Sequence, residues 1–392
     1  MNFHIIPQDK FFGSYIEDVY KINCENDNLF CVKGYPGDNN SFQTCRKVRY
    51  LGNAPEQYYE LLSRLKKDDR LFISWYDSFI GNIVVNSGIE NKVFVYLMGG
   101  EFYSEPFWRN AKWLLDSRTF SLARELYLPG LKFFVSPKDN YLALKHRLQI
   151  KERERKLYAE KQKSLSRVDY IIVPPCDELE VDFLRGLYPS LKAQPISGLF
   201  NQNYEAAKVF DFPCEERPNE GLNILVGNSS DICNNHIDAF QLIHSRIGGD
   251  YTVFCPLSYG DSECRQKVME YGKELFGDRF VAITEYVPVC DYAAFVNKMD
   301  MVLMNHNRQQ ALGNIIIALT LGKAVFLKEN NPIYSMMRKL GIPVTSVGDL
   351  HQNDISGIVE LAKNERRKTI SIIEEHFSEN TRLSLLRNNL FL

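Results

Sequence analysis

Residues 222–231, LNILVGNSSD, indicate the fold most directly. A run of apolar residues of strand length leads into a turn of small residues, Gly227, Ser229 and Ser230, and a helical pattern follows over 235–247. Small residues leave backbone N–H groups accessible and a helix start carries partial positive charge, so the turn is suited to holding a phosphate. It lacks the Lys-Ser or Lys-Thr pair of a Walker loop, and ordinary strand-to-helix turns also contain small residues.

The same alternation of short β-rich runs and amphipathic helical stretches extends along the chain in both directions, which is the pattern of parallel sheets with crossover helices. The strands predicted in the first half are 2–6, 29–33, 70–74, 92–98 and 169–173, and a helix is predicted at 55–67. The strands predicted in the second half are 222–226, 252–256, 279–283, 301–305 and 324–327. The helices predicted there are 235–247, 262–276, 291–298, 309–321, 333–340 and a helical tail over 364–392.

Length and composition fit two α/β domains. A chain of 392 residues exceeds one ordinary core, and its 45% hydrophobic and 24% charged residues are typical of a globular protein. The segment 196–218 contains Pro, Gly and Asn without a clear period, which predicts a linker. We therefore predict an N-terminal Rossmann-like domain over 1–200, a C-terminal one over 215–375 and a C-terminal helix over 376–392, which is the helix that crosses back in transferases with two such domains.

Several classes of function are disfavoured. The net charge of -2 gives no global field that recruits nucleic acid. Residues 1–10 lack the pattern of a secretory signal, and no window has the roughly 18 unbroken apolar residues of a membrane span. The nine cysteines lack the two-residue spacing of zinc or redox pairs, and reduced thiols fit a cytoplasmic protein. We predict a soluble or peripheral protein with no metal site and no cofactor.

A second polar turn is predicted at 304–314, MNHNRQQALGN, between a strand and the apolar helix IIIALTLG. His306 and Arg308 are cationic or potentially so, and a departing nucleoside diphosphate needs neutralisation of the charge on its β-phosphate. A cap with an internally satisfied polar turn is the alternative. The amide side chains of this turn are Asn305, Asn307, Gln309, Gln310 and Asn314.

Two carboxylates follow predicted strands. Glu285 lies just past a strand end, where ligands of open parallel sheets gather, and is a candidate to bond a sugar or ribose hydroxyl. Its alternative is a capping or surface acid. In 94–105, FVYLMGGEFYSE, Gly99 and Gly100 allow a sharp turn before Glu101, a candidate general base for an acceptor hydroxyl. The alternative there is a plain turn followed by aromatic packing.

The segment 145–167 is predicted to be a basic helix. It has nine Lys or Arg against three Glu, and nine minus three leaves a charge of +6. Such a helix gains roughly 1 kcal/mol per well-placed cation at an anionic membrane surface. A solvated, charge-rich helix face is the alternative.

Three segments together resemble a known enzyme family. They are VGNSSDICNNHIDAF (226–240), ITEYVPVCDYAAFV (283–296) and MNHNRQQALGNIIIALTLGKAVFL (304–327). They are similar to the TDP-4-acetamido-4,6-dideoxygalactose (Fuc4NAc) transferases of enterobacterial common antigen synthesis, also known as a 4-alpha-L-fucosyltransferase family, glycosyltransferase family 56. The resemblance is clearest over 221–344 and fades over 12–67. The segment 94–105 resembles a weaker N-terminal motif, with Glu101 where the family more often has Asp.

The resemblance implies a GT-B fold, in which two Rossmann-like domains face a central cleft and a C-terminal helix crosses back. It also implies a TDP-sugar donor, a polyprenyl-diphosphate-linked saccharide acceptor at the inner face of the cytoplasmic membrane, and no catalytic metal. The donor-binding residues that it implies are Gly227, Asn228, Ser229, Glu285, Asn305, His306, Arg308, Gln309, Gln310 and Asn314.

We therefore predict a glycosyltransferase that moves a Fuc4NAc-like sugar from a TDP-sugar to a saccharide, with Glu101 as the base if the anomeric carbon inverts. The sequence leaves the stereochemistry open. Another enzyme of the same fold, such as a 2-epimerase or a pyruvyl or glycerophosphate transferase, is one alternative. A non-catalytic protein that binds membranes through the basic helix is the other.

Overall fold

The structure, a computed structural model, describes residues 1–9, 12–22, 27–35, 48–128, 137–199 and 221–391. It divides into two compact units. Cys24, Cys45, Cys214 and most of the predicted linker lie outside the described residues. The first unit is Met1–Asn110, Glu152–Asn201 and His376–Leu392, and the second is Ala111–Lys151 and Gln202–Glu375.

The first unit contains a seven-stranded parallel sheet in the order β3-β2-β1-β4-β5-β6-β7. The five strands predicted in this half are confirmed, whereas two edge strands, β3 and β7, are not predicted by the sequence. Proline lowers strand propensity and is confined to sheet edges, which explains why the segment containing Pro195 gives no strand signal. The strands are β1 (Asn2–Pro7), β2 (Asn28–Lys33), β3 (Val48–Leu51), β4 (Arg70–Ser74), β5 (Val93–Tyr96), β6 (Tyr170–Val173) and β7 (Gln194–Ser197).

Eight helices are described in the first half of the chain. The predicted helix at 55–67 begins at Pro55, because proline suits the first helical turn, and ends at Leu62. The basic segment 145–167 forms part of a longer helix, α7. The helices are α1 (Phe12–Ile22), α2 (Pro55–Leu62), α3 (Ser78–Ser87), α4 (Gly100–Tyr103), α5 (Phe107–Leu114), α6 (Ser117–Tyr127), α7 (Pro137–Leu165) and α8 (Glu178–Leu187).

The second unit contains a six-stranded parallel sheet in the order β10-β9-β8-β11-β12-β13. All strands except the two-residue β13 are predicted by the sequence. The order reverses beside β8, so β8 and β11 are neighbours and Val226 pairs with Leu303. The carboxyl ends of these two strands therefore lie side by side at the point where open α/β sheets bind ligands. The strands are β8 (Leu222–Val226), β9 (Tyr251–Pro256), β10 (Phe280–Ile283), β11 (Met301–Met304), β12 (Ala324–Leu327) and β13 (Thr345–Ser346).

Several helices that follow β8 in the chain pack against this sheet, among them the helix Leu312–Thr320, which contacts β12. The helix after β11, predicted at 309–321, begins at Leu312 and is buried along most of its length, as expected for a helix that is apolar on all sides. None of the described helices is long and apolar enough to cross a membrane. The helices are α9 (His236–Arg246), α10 (Ser262–Phe276), α11 (Val289–Asn297), α12 (Leu312–Thr320), α13 (Pro332–Lys339), α14 (Gln352–Asn364) and α15 (Arg366–Phe377).

Two segments belong to a different unit from the residues next to them in the sequence. The last helix, α16 (Glu379–Phe391), packs in the first unit, where Arg382 Nε lies 2.8 Å from the buried carboxylate of Asp18. Residues 111–151, which the sequence analysis assigns to the N-terminal domain, belong to the second unit. Helix α6 contacts α9 there, and the Thr119 hydroxyl donates to Asp238 at 2.7 Å.

Candidate functional site

The turn after β8 requires glycine at residue 227. Gly227 has a φ of +69°, a left-handed conformation that residues with a Cβ adopt at a cost. A Cβ at this position would also lie 2.6 Å from His236 Nε2 and 2.8 Å from Asn234 Oδ1. The close approach of these two side chains to the backbone fixes the shape of the turn.

Asn234 joins this turn to the loop after β11. Its Oδ1 accepts a hydrogen bond from the Asn228 backbone N–H at 3.0 Å, and its Nδ2 donates to Ser229 Oγ at 3.1 Å. The same Oδ1 lies 2.8 Å from His306 Nε2. Because Oδ1 can only accept, the imidazole of His306 carries its proton on Nε2 and presents Nδ1 as an acceptor.

Asn228 makes a second link between the two turns. Its Oδ1 accepts a hydrogen bond from Gln310 Nε2 at 3.1 Å, and its Nδ2 donates to the Tyr259 hydroxyl at 2.7 Å. Five of the predicted residues are thus brought together at the neighbouring ends of β8 and β11: Gly227, Asn228, Ser229, His306 and Gln310. Asn234 was not predicted as a site residue from the sequence, although it lies within the segment 226–240.

Both histidines of this site are neutral at physiological pH. Burial lowers the pKa of His236 to about 4. Burial, followed by the positive charge of Arg308, also lowers the pKa of His306 well below its usual value. His306 is therefore a hydrogen-bonding group and not the cation that its sequence position suggests.

Three buried polar atoms of the site have no hydrogen-bond partner among the described residues. They are His236 Nε2, His306 Nδ1 and Gln310 Oε1. Buried polar atoms in native structures are nearly always hydrogen-bonded, so three unsatisfied atoms at one turn make it a candidate site for a polar ligand or for water. Arg308 follows His306, is also buried, and donates from Nη1 to the carbonyl of Gln309 at 2.9 Å.

The loop after β11 also faces a second cluster of polar side chains, which was not predicted from the sequence. Asn305 Nδ2 donates to Asp116 Oδ2 at 3.0 Å, and Asn307 Nδ2 donates to Asp116 Oδ1 at 3.1 Å. The ammonium group of Lys328, just past β12, lies 2.5 Å from both oxygens of Asp116. Asn305 therefore contacts this ion pair. Successive side chains of the loop alternate between two partners, since Asn305 and Asn307 face Asp116 and His306 faces Asn234.

A cavity of about 520 Å³ opens beside this cluster. Its lining includes Asn305 after β11, Lys328 after β12 and Ser346 at the end of β13. The carboxylates of Asp116 and Asp238 also line it. Such a mixture of charged and amide groups suits a ligand with several hydroxyl groups.

The remaining predicted donor residues lie farther along the same edge of the sheet. Glu285 follows β10, is exposed, and makes no hydrogen bond or ion pair with the part of the chain that the structure describes. Asn314, in the first turn of α12, donates to the Tyr292 hydroxyl at 3.1 Å. Gln309 is half-buried next to Arg308.

Comparison with known proteins identifies the class of the chain. The family model for 4-alpha-L-fucosyltransferase glycosyl transferase group 56 matches residues 192–388, just over half of the chain. The chain belongs to this family. The segment in which the resemblance to the family is clearest, 221–344, lies within the matched range. The predicted resemblance is confirmed, and the protein is a glycosyltransferase.

Solved structures similar to this glycosyltransferase show its fold. Sucrose-phosphate synthase from Thermosynechococcus elongatus matches with a TM-score of 0.61 at 11% identity, over 100% of this chain and 99% of that chain. An alpha,alpha-trehalose 6-phosphate synthase from Burkholderia multivorans gives 0.56 at 11%, over 100% and 95%. A structure described as trehalose-6-phosphate from E. coli bound with UDP-2-fluoro glucose gives 0.57 at 10%, over 100% and 99%. The predicted GT-B fold is confirmed.

In the first unit of the glycosyltransferase, Glu101 lies in the short helix α4, directly after the turn that follows β5. Its side chain is 3% exposed, and Oε1 accepts a hydrogen bond from the Met98 backbone N–H at 2.9 Å. The buried ammonium group of Lys161 donates to the backbone carbonyls of Glu101 and Tyr76 at 2.9 and 2.7 Å. Burial lowers the pKa of Lys161, while the Glu101 carboxylate opposes this shift. These contacts hold the turn after β5 against α7.

The described part of the glycosyltransferase contains no group of three or more His, Cys, Asp or Glu side chains that could hold a metal ion.

Proposed function

We propose that this glycosyltransferase moves a Fuc4NAc-like deoxyamino sugar from a TDP-sugar donor to a saccharide hydroxyl. The acceptor is a saccharide linked to polyprenyl diphosphate at the inner face of the cytoplasmic membrane, in bacterial surface glycan synthesis. The observation that carries the proposal is the polar site where the ends of β8 and β11 meet, in a chain of glycosyltransferase group 56. The UDP-2-fluoro glucose named with the E. coli structure supports a nucleotide-sugar donor on this fold.

The donor diphosphate is proposed to bind between the Gly227 turn and the start of α12. Arg308 is the only Lys, Arg, Asp or Glu in 304–314, and its burial strengthens its interaction with a phosphate. As the bond between the anomeric carbon and the β-phosphate oxygen breaks, negative charge builds on the departing diphosphate, and a fixed guanidinium group stabilises that charge. This arrangement supplies the neutralisation from the chain itself, so we expect donor binding without a divalent cation.

His306 is proposed to contact a hydroxyl of the donor and not its phosphates. Its Nε2 proton is directed at Asn234 Oδ1, so Nδ1 is the atom left for a ligand. A neutral Nδ1 accepts hydrogen bonds, which a sugar or ribose hydroxyl can donate and an ionised phosphate oxygen cannot. Glu285, exposed at the end of β10, is proposed to accept from a second donor hydroxyl.

Glu101 is proposed as the general base if the anomeric carbon inverts. The base takes the proton of the acceptor hydroxyl while its oxygen attacks the anomeric carbon and the nucleoside diphosphate leaves. In the structure, Oε1 of Glu101 closes its own turn by accepting from Met98 N–H. Catalysis by this carboxylate therefore has to use the other oxygen or break that bond.

Thermal unfolding with TDP, UDP, GDP and CDP, each with and without Mg²⁺, tests the donor. A ligand that binds only the folded protein stabilises it by about 2.7 kcal/mol at a concentration of 100 times its Kd. We expect a selective rise in Tm with TDP that does not depend on Mg²⁺. A selective rise with another nucleotide would contradict the proposed donor, and no response to any of the four would contradict the proposed site.

Two variants separate binding from chemistry. Arg308→Ala is expected to weaken TDP binding by about a hundredfold, the loss of a charged hydrogen-bonding pair. Arg279→Ala is the matched control. Arg279 directly precedes β10, so it lies at the amino ends of the strands, whereas the candidate site lies at their carboxyl ends. Glu101→Gln keeps an oxygen for Met98 N–H, so loss of a base lowers kcat at least about a hundredfold with unchanged TDP binding. Unchanged kcat would show that Glu101 only supports its turn.

A further inference from the structure

The first half of α7 exposes a group of large apolar side chains. Tyr141, Leu142, Leu144 and Leu148 are 65, 50, 51 and 58% exposed, whereas Ala143 between them is buried. Single exposed apolar residues are common on soluble proteins, but four on two consecutive helical turns form a contiguous apolar surface. A surface of this kind indicates an interaction site.

The apolar residues share one face of the helix with cations. Residues three and four apart are neighbours on a helix, so Lys138, Tyr141, Lys145 and Leu148 form one continuous row. Lys138, Lys145 and Lys151 are all exposed. Segment 138–151 has four Lys or Arg against one Asp, and four minus one leaves a charge of +3.

We propose that this surface, residues 138–151, docks on an anionic phospholipid bilayer. Helices that lie in the membrane interface combine exposed leucine and aromatic side chains, which enter the acyl boundary, with lysines that stay at the headgroups. The positive charge complements anionic lipid, and the interleaving of the two kinds of side chain lets both make contact at once. This inference deepens the proposed function, because a lipid-linked acceptor is presented at such a surface, but lipid binding is measurable without donor or acceptor.

The docking surface differs from the basic segment 145–167 that the sequence suggests. Near the end of that segment, Lys161 is buried and bonded to two backbone carbonyls, and Arg167 donates to the carbonyl of Ile89. These two cations are hydrogen-bonded within the protein and are not available to a membrane surface. The apolar residues Tyr141, Leu142 and Leu144, which lie before the predicted segment, take the larger part in the proposed contact.

Co-sedimentation of the full chain with vesicles tests the proposal. Binding is expected to vesicles of equimolar phosphatidylcholine and phosphatidylglycerol, and to be at least about tenfold weaker to phosphatidylcholine alone. Leu144→Ser with Leu148→Ser is expected to weaken binding by at least about tenfold through lost apolar burial. Lys145→Glu is expected to weaken it at least about fivefold, and that effect should shrink between about 0.1 M and about 1 M salt.

Matched controls lie on another helix. Leu361 on α14 is 52% exposed, and Lys363 on the same helix is also exposed, so Leu361→Ser and Lys363→Glu should leave lipid binding unchanged. The proposal is overturned if the wild-type chain does not bind the anionic vesicles, or if the control variants lower binding as much as the patch variants. It is also overturned if sedimentation without lipid shows a dimer that Leu148→Ser dissociates, because the surface then binds a second copy. The Tm rise with TDP should persist in the patch variants, which separates this test from that of the donor site.

Discussion

Replacing Gly227 by alanine tests whether the turn after β8 holds the candidate donor site together. The substitution adds one methyl group to a residue with a φ of +69°. That methyl group would lie 2.6 Å from His236 Nε2 and 2.8 Å from Asn234 Oδ1, both closer than real Cβ contacts allow. Because both neighbours are buried, the turn or the two side chains must move.

The expected cost has two parts. Alanine in a left-handed conformation costs about 1–2 kcal/mol by itself. Displacing Asn234 adds the loss of its hydrogen bonds to Asn228 N–H, Ser229 Oγ and His306 Nε2, each worth about 1 kcal/mol. We therefore expect Gly227→Ala to lower the free energy of unfolding by about 4–5 kcal/mol.

Gly341→Ala separates the two parts. Gly341 belongs to the same unit and has a φ of +76°, but nothing lies within 4 Å of a Cβ added there. This control should lose only the conformational cost of about 1–2 kcal/mol. Urea unfolding measures both variants, and isothermal titration calorimetry measures their affinity for TDP. Gly227→Ala should bind TDP at least about tenfold more weakly than Gly341→Ala, since Asn234 positions groups on both turns.

Equal stability of the two variants would refute the role given to Asn234. Lower stability with unchanged TDP affinity would show that the turn supports the fold and that the donor binds elsewhere. If Gly227→Ala does not fold, Asn234→Ala removes the amide without adding a methyl group. That variant should still weaken TDP binding, and unchanged affinity would again contradict the placement of the site.

Two further predictions concern ionisable side chains that are partly or fully buried. Lys328→Met should destabilise the second unit by about 2 kcal/mol in urea unfolding, because it leaves the partly buried carboxylate of Asp116 without its cation; adding Asp116→Asn should recover most of the loss, and no recovery would contradict an ion-pair effect. Burial lowers the pKa of His4 to about 4, so below about pH 6.5 the unfolded chain takes up a proton that the folded chain does not. Stability contributed by His4 should therefore fall by about 1.4 kcal/mol per pH unit from about pH 6.5 to about pH 4. In urea unfolding of His4→Gln, the loss of stability per pH unit should be smaller by that amount, while the buried His236 and His306 keep their own contributions.

The strands and helices of this protein could be predicted because their signals are local. Each run such as LNILV or IIIALTLG shows its own periodicity within a few residues. The strands that the sequence missed, β3, β7 and β13, have only two to four residues, and β7 contains Pro195. Short edge strands are fixed by pairing with a neighbour, which local patterns do not record.

The position of the candidate site could be predicted from the sequence, but not which partner each of its side chains faces. The density of polar groups in 304–314 marked the loop correctly as a place where polar side chains converge. The structure shows that Asn305 faces Asp116, whereas His306 faces Asn234. Asp116 lies 189 positions from Asn305 and 212 from Lys328, so no local pattern could associate them.

Burial decides both the protonation state of a side chain and which atoms it contacts. His306 is a potential cation in the sequence, but its surroundings lower its pKa and leave a neutral imidazole with one acceptor nitrogen. Lys161 counts among nine cations of a basic segment, but it is buried and held by two carbonyls. In both cases the residue type fixes which atoms are available, and packing decides whether they face a ligand or the fold.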